Sequence, residues 1–79
     1  MQHSDAAEVV RRKIALGELP RATWKETWAG VGTSHECGIC GRPTRDAGGI
    51  EYECVDADGT TFRFCQPCFH TWHAERGTA

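Results

Sequence analysis

Cys37-Gly38-Ile39-Cys40 and Cys65-Gln66-Pro67-Cys68 are the stretches able to do chemistry: two Cys-x-x-Cys pairs, 24 residues apart, in a chain of 79. Each pair offers two thiolates to one ion, and four thiolates complete the closed tetrahedron that structural zinc prefers. One Zn²⁺ per chain, held by Cys37, Cys40, Cys65 and Cys68, is the expected cofactor. Gly38 and Gly41 suit a tight knuckle whose backbone needs permissive angles. The second pair precedes a helical stretch, Phe69–Arg76, whose positive dipole end favours thiolate.

Other candidate ligands and nucleophiles fall away on chemical grounds. His35, His70 and His73 lie close to the cysteines in sequence, but two complete pairs leave them no position to fill. Each is read as a surface group or a partner of a ligand. Cys54 is the leftover thiol, placed by alternation on the apolar face of a strand, where a free cysteine acts as a small hydrophobe. A redox thiol needs an electropositive setting, and Glu53 and Asp56 supply the opposite. Catalytic zinc keeps an open position, which four cysteines close. The deaminase pattern needs His-x-Glu ahead of Cys-x-x-Cys, and Ser34-His35-Glu36-Cys37 does not supply it. No enzyme is expected.

The elements that must position these cysteines are legible in outline. Ile50–Val55 and Thr60–Phe64 alternate around Asp56-Ala57-Asp58-Gly59, a hairpin signal. Ile50, Tyr52, Cys54, Phe62 and Phe64 would share one face, with Glu51, Glu53, Thr61 and Arg63 on the other, where a carboxylate–Arg pair can form across the strands. Phe69 and Trp72 of the last helix would cover the aromatic face. Arg42–Gly49 is polar and reads as loop, and the last residues, Gly77–Ala79, read as frayed. Upstream, Ser4 or Asp5 can open a helix, with Asp5-x-x-Glu8 at capping-box spacing. Ala6, Val9, Val10 and Ile14 form its apolar stripe; Gly17 and Pro20 end it. Trp24 and Trp28, four apart, are expected on one face of a short helical turn, either as core or as a partner-binding pair. Gly30 and Gly32 would then release the chain into the knuckle.

The expected fold is thus a small α+β zinc-stabilised domain. A treble-clef-like finger (knuckle, β-hairpin, C-terminal helix) follows N-terminal helices. Residues 1–30 form a helical arm and residues 31–79 the zinc-binding module, in one folding unit. With 39% apolar residues and a mean hydropathy of −0.51, the core is small, and domains of this size need a metal, disulfides or a partner. Five cysteines, an odd number, argue against a closed disulfide framework. No secretory pattern opens the chain and no apolar stretch approaches a membrane span. A reducing compartment, the cytoplasm, and no membrane are expected.

Net charge is −2 and uneven. Residues 1–30 carry five Lys/Arg against four Asp/Glu, whereas residues 31–79 carry four against seven. Nucleic-acid affinity begins with cation density, so so acidic a module is poorly suited to phosphate. Arg11, Arg12 and Lys13 are the best candidates for such a contact, and also sit where a helix C-terminus favours cations.

Cys37-x-x-Cys40-Gly41, Glu51-Tyr52-Glu53, Asp58-Gly59 and Phe64-Cys65-x-x-Cys68-Phe69-x-x-Trp72-x-x-Glu75-Arg76 together resemble small bacterial treble-clef or zinc-ribbon-like proteins of uncharacterised type. That resemblance covers about half of the chain and implies zinc binding. A weaker one, through Ser4-Asp5-Ala6-Ala7-Glu8 and Cys37-x-x-Cys40-Gly41, is to the DksA/TraR zinc-finger family of transcription regulators. It implies Asp5 as the residue entering the polymerase secondary channel, although the interval from Cys40 to Cys65 is longer than in that finger. The leading functional expectation is a zinc-binding structural or interaction module that engages a protein partner, in the setting of transcription regulation. The alternatives are a nucleic-acid-binding finger using the basic helix and a redox- or zinc-responsive switch.

Overall fold

The computed structural model describes residues 2–76, with side chains from Ala6 onward. Helix α1 spans Gln2–Ala15, strand β1 Glu26–Val31, β2 Ile50–Val55, β3 Thr61–Cys65, and helix α2 Gln66–Arg76. A single 3-10 turn, Thr44–Asp46, lies between β1 and β2. Among the described residues the strands make one antiparallel sheet in the order β1-β2-β3.

α1 buries the expected stripe: Val10 and Ile14 enter the core, joined by Leu19 just past the helix. Gly17, at φ +78°, ends it. Its N–H donates to Ile14 C=O (3.1 Å) and the Glu18 N–H donates to Lys13 C=O (2.8 Å), the paired bonds of a Schellman cap. The helix already includes Ser4 and Asp5, so these residues do not cap it. Their side chains lie outside the described residues, as do the role expected of Asp5 and the fraying expected of Gly77–Ala79.

The arm is not wholly helical. In place of a helical turn carrying both tryptophans, residues 21–25 are irregular and Trp28 sits in β1. β1 pairs with β2 along its full length, Trp28 opposite Glu53 and Ala29 opposite Tyr52. The strand therefore crosses the expected division at residue 30 and ties the arm into the sheet. Trp24 packs on Phe62, Phe64 and Trp72 at centroid distances of 5.2, 5.7 and 4.9 Å. Trp28 remains 54% exposed. The two indoles thus part: Trp24 joins the core and Trp28 stays at the surface.

The hairpin forms where it was read, but β3 begins at Thr61 rather than Thr60 and extends to Cys65. Tyr52 pairs with Phe64 and Cys54 with Phe62. Asp56 Oδ1 accepts from the amides of Asp58 and Thr60, and Gly59 takes φ +88° to close the turn. α2 lies on the aromatic face: Phe69 stacks on Tyr52 at 4.1 Å with rings nearly parallel, and buried Trp72 donates its Nε1–H to Pro20 C=O (2.9 Å). α1 packs on α2, with Arg11 reaching Glu75 at 2.9 Å. The opposite face of the sheet carries Trp28, Glu53 and Arg63. Among the described residues no α-helix covers it, and only its Glu51 end is covered, by the 3-10 turn at Thr44–Asp46.

Candidate metal centre

The centre is built where the knuckle meets the end of β3. Cys37 N–H donates to Arg42 C=O (2.8 Å), and Gly41 N–H donates back to Cys37 C=O (2.9 Å). Gly41 makes this possible with φ +78°; Gly38 needs no such freedom. Instead, Gly38 N–H donates to Arg63 C=O (2.7 Å). That bond pins the knuckle against the outer edge of β3, two residues before Cys65. Cys65 closes β3, and Cys68 falls in the first turn of α2, so the helix begins ahead of the second pair's last residue.

The structure brings Cys37, Cys40, Cys65 and Cys68 together, all four sulfurs within 4.8 Å of one another. Cys40 Sγ and Cys65 Sγ are 3.9 Å apart. A tetrahedral site with metal–sulfur bonds of about 2.3 Å has sulfur–sulfur edges of about 3.8 Å, whereas a disulfide would need about 2.05 Å. All four cysteines are free thiols, three of them buried and Cys40 exposed. Among the described residues this is the group that could hold a metal ion, and its spacing fits one.

Electrostatics agree with the geometry. Cys37 is held down to about 4, chiefly by the hydrogen bond from the Cys68 thiol, against burial, with help from the amides of Cys40, Cys65 and Ile39. Donating that bond, together with burial, pushes the Cys68 thiol up. Burial pushes Cys65 up to about 11, although the Cys68 amide donates to its sulfur. The Cys37, Cys65 and Cys68 sulfurs thus compete over one negative charge. A divalent cation at their centre lets all of them ionise.

The remaining candidates lie elsewhere. His35 accepts or donates at Thr33 Oγ1 (2.9 Å) and sits 3.7 Å from Glu51. His70 flanks Tyr52 and Phe69, and His73 lies edge-on to Trp72; both are exposed. Cys54 is fully buried, its thiol pushed up to about 11 by burial. In the basic cluster, Arg11 pairs with Glu75 and Lys13 with Glu18 (3.4 Å), while Arg12 is exposed.

Sequence reasoning missed a polar node beside the centre. Glu51 lies on the expected face, opposite the rings, but is buried there. It accepts from the Thr33 and Thr44 hydroxyls and lies 3.5 Å from Arg63 Nε. Burial alone would raise the Glu51 carboxyl. The two hydroxyls, with His35 and Arg63, outweigh burial and hold it below the ordinary carboxylate range. Around it, residues 33–36 fold back on 43–45 through Thr44 N–H to His35 C=O and Arg45 N–H to Thr33 C=O, both 3.0 Å. Gly32 allows the approach, since a Cβ there would lie 2.6 Å from Arg45 Cα. The node fixes the chain on both sides of the knuckle. The only local signal for it is the glycine before Thr33, because its other parts are far apart in sequence.

Among the described residues no helix is long and apolar enough to cross a membrane. No protein-family model, curated protein or solved structure matches the chain.

Proposed function

We propose that the chain is a zinc-stabilised interaction module. Knuckle, hairpin and α2 form a treble-clef-like finger around one Zn²⁺, and the partner is another protein. The observation that carries this reading is the convergence of four cysteine sulfurs within 4.8 Å. Tetrahedral sulfur sites suit zinc or iron, and a redox-inert zinc matches a cluster that has no catalytic set beside it among the described residues. The closed shell leaves no position for substrate, so the role is structural rather than enzymatic. Five free thiols suit a reducing compartment such as the cytoplasm, which belongs to the same proposal. Transcription regulation is the setting suggested by analogy with other small fingers.

The partner surface is β1 and the exposed part of the sheet face beside it at Trp28 and Glu53, since Trp24 is committed to the core and Arg11 and Lys13 to acidic partners. The test is a titration of zinc-loaded protein with random duplex DNA at physiological salt. Binding no tighter than about 10⁻⁴–10⁻⁶ M, the non-specific range, is expected. Tighter, steeply salt-dependent binding that is lost on replacing Arg11, Arg12 and Lys13 with Ala would move the function to nucleic acid.

One observation favours a second reading, a redox-responsive switch. Cys40 is exposed beside an open groove of about 340 Å³ that Cys65 and Cys68 also line. Hydrogen peroxide could take two electrons from the Cys40 and Cys65 thiolates, leaving a disulfide, two waters once two protons are taken up, and a released Zn²⁺. Zinc retained under peroxide, with all thiols still reduced, would exclude this reading.

A further inference from the structure

The two edges of the sheet are treated differently. On β3, the outward-facing Arg63 C=O is taken by the Gly38 N–H of the knuckle (2.7 Å). On β1, all six residues are exposed. The bond from Gly32 N–H to Gly49 C=O sets the alternation, so Trp28 and Gly30 turn their peptide groups toward β2 while Thr27, Ala29 and Val31 turn theirs outward. Natural edge strands are guarded by lysine, proline, bulges or a covering element. From Thr27 to Val31 this edge carries no charge and no proline. Trp28 and Val31, at 54% and 86%, are two of the three large hydrophobic side chains exposed on the described surface.

We propose that β1 docks on β1 of a second copy of this chain, antiparallel across a twofold axis at Ala29, joining two three-stranded sheets into one of six. The inference rests on the interaction-module reading and names its first partner. The strand complements itself in this register. Ala29 faces Ala29 of the other copy, Thr27 faces Val31 twice, and Trp28 faces Gly30 twice. A Cβ at Gly30 would meet nothing within 4 Å, so the space over this glycine is open to the indole of the other copy. An aromatic residue laid across a strand glycine supplies the packing that glycine lacks. The outward groups of Thr27, Ala29 and Val31 then form about six ladder bonds. No charges meet within the paired stretch Thr27 to Val31, and just beyond it Glu26 falls opposite Gly32, against which the backbone of Arg45 lies. An unrelated extended peptide could use the same edge, but it would not supply a tryptophan and a glycine two residues apart in the matching order. An interface of one strand per copy belongs to the small class, below about 1,200 Å², and its dimer is concentration-dependent.

Sedimentation equilibrium of the zinc-loaded chain from about 1 μM to 1 mM, with zinc content and circular dichroism on the same samples, tests the proposal. The average mass should climb from 8.7 kDa toward twice that value. Ala29→Lys and Ala29→Glu, each placing like charges face to face on the axis, should each weaken self-association at least about tenfold, and an equimolar mixture should restore it. A wild-type chain that stays monomeric to about 1 mM with its full zinc equivalent overturns the dimer and leaves the zinc module standing. A dimer indifferent to both substitutions, or a mixture no stronger than its parts, overturns the β1 register. Loss of zinc with dimerisation intact overturns the zinc reading and supports the edge.

Discussion

β3 joins two regions held together by different means. Phe62 and Phe64 project into a block of rings with Trp24, Tyr52, Phe69 and Trp72, and α1 seals the far side of α2. One residue later, Cys65 joins the cluster of four sulfurs. Ring packing is non-directional and spread over many side chains, so its losses are graded. A tetrathiolate centre fixes four atoms by directional bonds, and a missing ligand has no substitute. On the proposed reading, the aromatic region gives the chain its shape and the metal-loaded sulfur region decides whether that shape persists.

Removing one ligand should have the largest effect. Cys65→Ser is expected to leave a largely unfolded chain at neutral pH, because structural zinc contributes roughly 10–16 kcal/mol of apparent binding energy in finger peptides. Circular dichroism with metal analysis reads this, and a folded Cys65→Ser with a full metal equivalent would erase the contrast between the two regions. Next comes Phe64→Ala in the aromatic block. Phe64 is fully buried, and its truncation should cost about 3–5 kcal/mol while one metal equivalent is retained. Denaturant melts of the metal-loaded protein measure the cost.

Acid should act on the sulfur region before the aromatic one. Cys65, up at about 11, and Cys68, pushed up by its bond to Cys37, both hold protons at neutral pH that a metal must displace. In an unfolded chain the same thiols, near 8.5, are protonated too. At least two protons therefore leave on binding, and the sign follows: metal affinity rises with pH, by about 100-fold or more per unit between pH 6 and 8. Chelator competition across that range gives the slope. A flat profile would mean that the sulfurs are not the ligands.

Cys54→Ala should do least, at about 1 kcal/mol with metal retained, the scale of a small side chain trimmed from a modest core. Cys54 and Cys65 flank one hairpin and carry the same thiol, so equilibrium melts of the two variants isolate what ligation adds.

How legible each region was depends on how local its cause is. The cysteine pairs, the Asp56–Gly59 turn and the Gly17 helix end are written into a few adjacent residues, and each lies where its spacing placed it. Trp24 and Trp28 were harder, because a four-residue interval suits one face of a helix and equally an alternating strand. Neither holds for both: pairing with β2, over twenty residues away, takes Trp28 into a strand, while Trp24 stays outside it in an irregular segment packed on the rings. Glu51 takes the expected face and meets Arg63 there, but its burial was missed for the same reason. Alternation fixes which face a carboxylate takes, but only the fold-back of residues 33–36 onto 43–45 shows that this part of the face is covered. Long-range backbone contacts leave little trace in local pattern.

X-ray absorption on protein loaded with one equivalent of Zn²⁺ tests the central claim most directly. The account predicts a first shell of four sulfurs at about 2.3 Å and no nitrogen, unchanged in Cys54→Ala. A nitrogen scatterer near 2.0 Å would contradict it, removing one of Cys37, Cys40, Cys65 and Cys68 from the centre and bringing His35, His70 or His73 in.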